Sequence, residues 1–120
     1  MSALHLFASN YQSVYNRRGE FINMQTHFAG KKLGLLFSAS WCKPCREMTP
    51  QIMKYYEQNN GGKDFDIVFV SGDNDEMSFQ RYYATMPWLA LNFNESQINV
   101  SLLLMFNKLM YLWVLPIRPI

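Results

Sequence analysis

Only two of the 120 residues are cysteine, two are histidine, five are proline and six are glycine. Two cysteines cannot staple a small fold in the way that cross-linked secreted scaffolds are stapled. Charged side chains make up 17 % of the chain, the net charge is +2, and basic residues never run longer than a pair. A chain so poor in charge of one sign has no footprint for nucleic acid or for an anionic membrane surface. An uninterrupted apolar stretch of spanning length is also missing. Residues 98–120 are rich in Leu, Met, Phe, Tyr and Trp, but Asn99, Ser101, Asn107 and Lys108 interrupt them. The longest clean part, residues 109–115, is far short of the ~20 residues a spanning helix needs. The first ten residues carry neither a basic n-region nor an apolar h-region. The expectation is therefore a cytoplasmic location, with the nucleus open to it, where a cysteine pair is more often catalytic or metal-binding than structural.

What is present is apolar and aromatic. Hydrophobic residues make up 49 % of the chain and aromatics 16 %, with 9 Phe, 7 Tyr and 3 Trp. That content excludes a disordered chain and suffices for one core. The length sets a single domain, residues 1–120, with no repeat, linker or low-complexity tract.

Residues 4–15 have apolar positions at 4, 6, 7, 11, 14 and 15, the spacing of a helical face. Asn16, Arg17, Arg18 and Gly19 read as its stop. Residues 20–25 alternate and predict an edge strand, and residues 28–32 a turn. The short apolar run 33–38 suits a central strand buried on both faces. Residues 45–60 are helical in period and end at Asn59, Asn60, Gly61 and Gly62. The β-branched run 66–71 predicts a second buried strand. Asp73, Asn74 and Asp75 read as the cap of a helix from Glu76 to about Thr85, stopped by Pro87, and residues from 95 onward read as helical. Strand 33–38, helix 45–60 and strand 66–71 form a βαβ unit, so the class is α/β with a parallel pair.

One constellation carries chemistry: Trp41, Cys42, Lys43, Pro44, Cys45 and Arg46, directly after the first buried strand. Two cysteines separated by two residues at a helix start close a small disulfide with little backbone movement. At Cys42 the unsatisfied N–H groups of the first turn stabilise a thiolate. Lys43 adds positive charge beside it. Pro44 costs no hydrogen bond in the first turn. Cys45, one turn in, is placed for a resolving role, and Trp41 offers a flat apolar surface beside the nucleophile. The same pair would serve as half of a zinc site, or as two unreactive thiols. Zinc needs four ligands, and the other candidates, His5 and His27, are not spaced as a ligand pair. The redox reading is favoured, with no metal and no cofactor beyond the Cys42–Cys45 disulfide.

Residues 37–46, followed by Thr49 and Pro50, resemble the thioredoxin superfamily. The block Met86, Pro87, Trp88, Leu89 and Ala90, and the strand leading to Asp73, Asn74, Asp75 and Glu76, narrow the resemblance to the tryparedoxin and nucleoredoxin branch. It covers about residues 4–107. It implies a three-layer fold with a central sheet flanked by helices. It also implies a protein-disulfide reductase that draws electrons from an external dithiol or reductase. In tryparedoxins the donor is trypanothione and the acceptors are peroxiredoxins; in nucleoredoxins the donor is a thioredoxin-reductase system. The sequence departs from the pattern twice. Lys43 stands where the first proline of the motif is usual. The family also carries a cis-proline packed against the disulfide, expected near Leu112, and here the nearest candidate, Pro116, comes four residues later. The tail 108–120 is divergent; residues 109–115 are expected to form a further strand paired in the sheet, with reduced activity, and the chain is expected to end before the family's closing hairpin and last helix. An alternative reading follows: a thioredoxin-like binding or signalling module with little turnover, prone to self-association through an uncovered apolar tail.

Pro87 and Trp88 are candidates for a substrate groove, set against a core position for so large an aromatic. His27, in a turn signal, is expected to be solvated. The eight methionines are scattered and read as core filling.

Overall fold

The computed structural model describes residues 14–96, 112–114 and 118–119, with side chains described for 14–96. The chain order is β1 (Val14–Tyr15), α1 (Met24–His27), β2 (Lys32–Ser38), α2 (Lys43–Gln58), β3 (Phe65–Ser71), α3 (Glu76–Tyr83), β4 (Leu89–Leu91), β5 (Leu112–Val114) and β6 (Arg118–Pro119). The six strands form one sheet in the order β1-β4-β3-β2-β5-β6. The central pair β2 and β3 is parallel in the register Lys32 with Phe65 through Ser38 with Ser71. β4 continues parallel to β3, while β1, β5 and β6 pair antiparallel.

The continuous apolar runs become intelligible once the pleat is applied. Leu33, Leu35, Val68, Val70, Leu89 and Leu91 share one face with Val14, Met24 and Phe28. Leu36, Ile67, Phe69 and Ala90 lie on the other, packed against Ile52, Phe79, Tyr82, Tyr83, Met86 and Trp88. Successive strand residues point to opposite faces, so a strand covered on both sides has no polar alternation to show. Phe69 is the hub of the second face. Its ring stacks on Phe79 at 5.7 Å, meets Tyr82 edge-on at 5.6 Å and lies 6.3 Å from Tyr83.

The structure corrects several sequence expectations. Residues 14 and 15 are the edge strand β1, not the end of a helix; the rest of the expected helix 4–15 lies outside the described residues. Asn16 to Gly19 is a turn beyond that strand. The Asn16 side-chain oxygen accepts from the backbone N–H of Arg18 and of Glu20, and Gly19 takes a φ of 78°. Residues 20–25 supply only an isolated bridge, Phe21 with Tyr15, before α1 begins at Met24. β4 was missed, because three residues after Pro87 and Trp88 are too short to show a period. α3 ends at Tyr83, before Thr85 and Pro87. A helical segment does begin after β4, at residues 93–96; its continuation lies outside the described residues.

In the tail, the strand expected within residues 109–115 is present at 112–114, while the closing elements differ from expectation. β5 joins β2 antiparallel, with Leu112 opposite Leu36, and β6 folds back on it, Trp113 opposite Pro119. A closing pair of strands is therefore present where the chain was expected to end before one. β5 covers the edge of β2 that would otherwise offer unpaired backbone groups. The side chain of Trp113 and all of Pro116 lie outside the described residues. Among the described residues no helix is long and apolar enough to cross a membrane.

Candidate active site

The site grows from the C-terminal ends of β2 and β3. Ser38 and Ser71 are the last paired residues, and Gly72 N–H donates to the Ser38 carbonyl at 2.8 Å. Beyond them the chain leaves β2 through Ala39, Ser40 and Trp41 and enters α2. Cys42 is the N-cap, with extended φ and ψ of −92° and 106° and no side-chain capping bond. Lys43 and Pro44 occupy the first two helical positions, where a missing N–H costs nothing.

Cys42 and Cys45 are joined by a disulfide, with Cα atoms 5.2 Å apart. Their exposures differ: Cys42 is partly exposed and Cys45 is 3 % exposed. Lys43, Pro44 and Arg46 are exposed on the first turn, and Trp41 is 56 % exposed beside them. The Trp41 ring is held: its Nε1–H donates to the Gly72 carbonyl at 2.8 Å. The polar end of the indole is thereby satisfied and its apolar faces remain open to a partner.

Asp73 anchors the loop from the other side. Its carboxylate, 1 % exposed, accepts the Ser40 backbone N–H at 2.9 Å and the Ser40 hydroxyl on one oxygen. The other oxygen accepts the Ser71 hydroxyl at 3.1 Å. The acidic run 73–76 thus divides its labour. Asp75 is the true N-cap of α3, accepting Ser78 N–H at 2.8 Å and its hydroxyl at 3.0 Å, and these bonds hold its carboxyl below the usual carboxylate range. Asp73, read from sequence as part of the cap, instead clamps the approach to Cys42. Nothing in its neighbours along the chain distinguishes the two.

Beneath Cys45 lie three buried hydroxyls, of Ser38, Thr49 and Tyr82, whose meeting nothing local in the sequence shows. Thr49 Oγ1–H donates to the Cys45 carbonyl at 2.8 Å, Thr49 Oγ1 meets Tyr82 Oη at 2.9 Å, and Tyr82 Oη meets Ser38 Oγ at 2.9 Å.

Pro87 and Trp88 are not brought to the disulfide. Trp88 is 1 % exposed and packs edge-on against Tyr56, 5.5 Å away, as the core reading expected. With Asn16, Arg17, Arg18, Tyr56, Asp66 and Leu89 they line a cleft of about 270 Å³. It opens at the start of β3 and β4. Asp66 pairs with Leu33, five residues from the Ser38 end, or about 17 Å along the strand. His27 is also not simply solvated. Its Nε2 lies 2.7 Å from the Asp66 carboxylate, whose other oxygen accepts the Tyr56 hydroxyl at 2.9 Å. The burial of Tyr56 and the nearby Asp66 charge push its phenol far above the usual range. Among the described residues no group of three or more His, Cys, Asp or Glu is placed to hold a metal ion.

The disulfide ties a helix N-cap to its own first turn, and the N-cap cysteine is the more exposed of the two, the placement that suits thiol–disulfide exchange. At the end of a central parallel strand, in a sheet of this order, it is the arrangement of the thioredoxin class. Residues 30–112 match the thioredoxin-like family, and the chain belongs to that family, in its tryparedoxin and nucleoredoxin branch. Probable nucleoredoxin 1 of Arabidopsis thaliana is 53 % identical over 68 residues, 57 % of this chain and 12 % of that protein. Tryparedoxin of Trypanosoma brucei brucei is 39 % identical over 95 residues, 79 % of this chain and 65 % of that protein. The chain therefore spans less than two thirds of either curated relative. A solved tryparedoxin from Trypanosoma brucei superposes with a TM-score of 0.81 at 33 % identity, covering 98 % of this chain and 82 % of that one. A tryparedoxin II complexed with glutathionylspermidine gives 0.79 at 32 % identity, covering 92 % and 78 %.

Proposed function

We propose that this protein reduces disulfides in other proteins, with Cys42 as nucleophile and Cys45 as resolver. The observation that carries the reading is the asymmetry of the pair: Cys42 is partly exposed at the helix N-cap and Cys45 is buried inside the first turn. The unsatisfied N–H groups at the start of α2 favour a thiolate at Cys42. That thiolate attacks one sulfur of a substrate disulfide. A mixed disulfide forms, and the other substrate sulfur leaves as a thiolate. Cys45 then attacks the Cys42 sulfur, the bond to substrate breaks, and the protein is left oxidised. An external dithiol or reductase returns two electrons. The glutathionylspermidine held by one solved relative supports a low-molecular-weight thiol among the donors. Disulfide-containing proteins such as peroxiredoxins are the proposed acceptors, in the cytoplasm, with no metal or bound cofactor.

The test is trapping. Cys45→Ser accumulates a mixed disulfide with substrate and Cys42→Ser accumulates none, as read by non-reducing electrophoresis. Equal trapping by both variants refutes the assignment. The alternative, a binding module with little turnover, draws on Leu112, which stands opposite Leu36 near the place where the resemblance leads one to expect a proline. Catalytic reduction of insulin disulfides with a dithiol donor separates the two, because a module pairs only stoichiometrically.

A further inference from the structure

The three hydroxyls beneath Cys45 have a fixed direction. A carbonyl oxygen only accepts, so Thr49 spends its single hydroxyl hydrogen on the Cys45 carbonyl. The 2.9 Å contact with Tyr82 must then be a bond donated by Tyr82. Tyr82 has no second hydrogen, so its contact with Ser38 is donated by Ser38. The order is Ser38 to Tyr82 to Thr49 to Cys45, running from the end of β2 through α3 to the first turn of α2. All three side chains are buried, at 0 %, 9 % and 3 % exposure.

The point of attachment adjoins a gap in the backbone ladder of α2. Pro50 lies inside the helix and supplies no N–H to the carbonyl of Arg46. The backbone ladder therefore lacks its bond at the residue directly after Cys45. While the disulfide is closed, a covalent bond holds Cys45 against Cys42. In the mixed disulfide that bond is absent, and only non-covalent contacts keep the Cys45 sulfur facing its target.

Resting on the exchange reading above, we propose that Tyr82 is a positioning residue for the resolving step: through Thr49 it holds the first turn of α2 so that Cys45 attacks in line. In that step the Cys45 thiol gives its proton to solvent. Its sulfur bonds to the Cys42 sulfur, and the partner sulfur departs with the electron pair. The hydroxyls end on the Cys45 carbonyl, not on its sulfur, so they set geometry and carry no proton.

The experiment uses pre-reduced full-length protein and dithiobis(nitrobenzoate), whose two equivalents of coloured thiolate report the two steps separately. At high reagent the first phase, attack by Cys42, scales with reagent concentration. The second, resolution by Cys45, does not. Tyr82→Phe is expected to leave the first phase within about twofold and to slow the second about tenfold, since small misplacements of reacting atoms carry penalties of this order or more. Thr49→Val does the same, and Thr49→Ser, which keeps the hydroxyl, restores the second phase. A circular dichroism spectrum and urea transition like the parent's show that each variant is folded. A second phase within twofold of the parent in both Tyr82→Phe and Thr49→Val overturns the inference, as does an equal slowing of both phases. A parent protein that releases only one equivalent overturns the exchange reading itself, and this inference with it.

Discussion

Replacement of Asp73 by alanine tests whether the loop before Cys42 is held by that carboxylate. The substitution removes the acceptor of three bonds, from Ser40 N–H, the Ser40 hydroxyl and the Ser71 hydroxyl. Ser71 is 1 % exposed, so its hydroxyl loses its acceptor in a place water does not readily reach. Ser40 is partly exposed and recovers part of its loss from solvent. Bonds to a charged group contribute about 1.5–3 kcal/mol each, and a stranded buried donor costs about 1–3 kcal/mol, so with Ser40 partly rehydrated the net loss is about 3 kcal/mol. Against a total stability of about 5–15 kcal/mol that is a large fraction. Asp73→Asn is milder. Its carbonyl oxygen can accept from Ser40 while its amide donates to Ser71 Oγ, so the shape of the clamp survives. Urea unfolding followed by tryptophan fluorescence gives the three free energies, provided the slope against denaturant stays constant. The expected order of stability is parent, then Asn, then Ala. An alanine variant within about 0.5 kcal/mol of the parent, the range of an ordinary surface substitution, would refute the clamp.

Three further outcomes are expected. Lys43→Pro raises the Cys42 pKa modestly, because an exposed positive charge beside the thiolate is lost and exposed charges are screened; thiolate absorbance titrated in both proteins checks this, and an unchanged or lower value contradicts it. Asp75 has its folded-state pKa depressed by Ser78, so its contribution is present above the unfolded value near 3.9 and is lost as pH falls through the lower folded value. The stability of Asp75→Asn, followed by thermal melting from pH 6 to pH 2, should therefore fall less steeply on the acid side than that of the parent. Phe69→Ala removes the hub of the aromatic cluster on the helix-covered face and should cost about 3–5 kcal/mol; a loss under 1 kcal/mol would mean that the face repacks around the cavity.

The fold and the disulfide site form one mechanical unit. β2 and β3 end together at Ser38 and Ser71, and the loops that follow are cross-braced. Trp41 binds the Gly72 carbonyl, Ser40 binds Asp73, and Gly72 binds the Ser38 carbonyl. Each bond joins β2 or the loop after it to the loop that follows β3. A nucleophile on so constrained a loop meets a substrate with little ordering left to do. The opposite end of the sheet is braced separately, by the buried Asp66 carboxylate between His27 and Tyr56.

Much of this was legible in the chain. The runs 33–38 and 66–71 have no polar alternation, and only a strand covered on both faces tolerates that. The pair Cys42 and Cys45, with Pro44 between them and a buried strand before them, specifies a helix start and its chemistry within one turn. These signals are local, and each is carried by residues that touch because they are near in sequence. What the sequence could not display was set by contacts across the sheet. Val14 and Tyr15 are a strand because they pair with Leu91 and Ala90, not because of their own pattern. His27 is fixed by Asp66, 39 residues away, Ser40 by Asp73, 33 away, and Ser38 by Tyr82, 44 away. Asp73 and Asp75 are the same residue type two positions apart. One turns inward because β3 ends beneath it and Ser40 arrives from β2, and the other caps a helix because Ser78 follows it. Residue type and spacing determine what a side chain can bond to, but strand register decides which distant group is delivered to it.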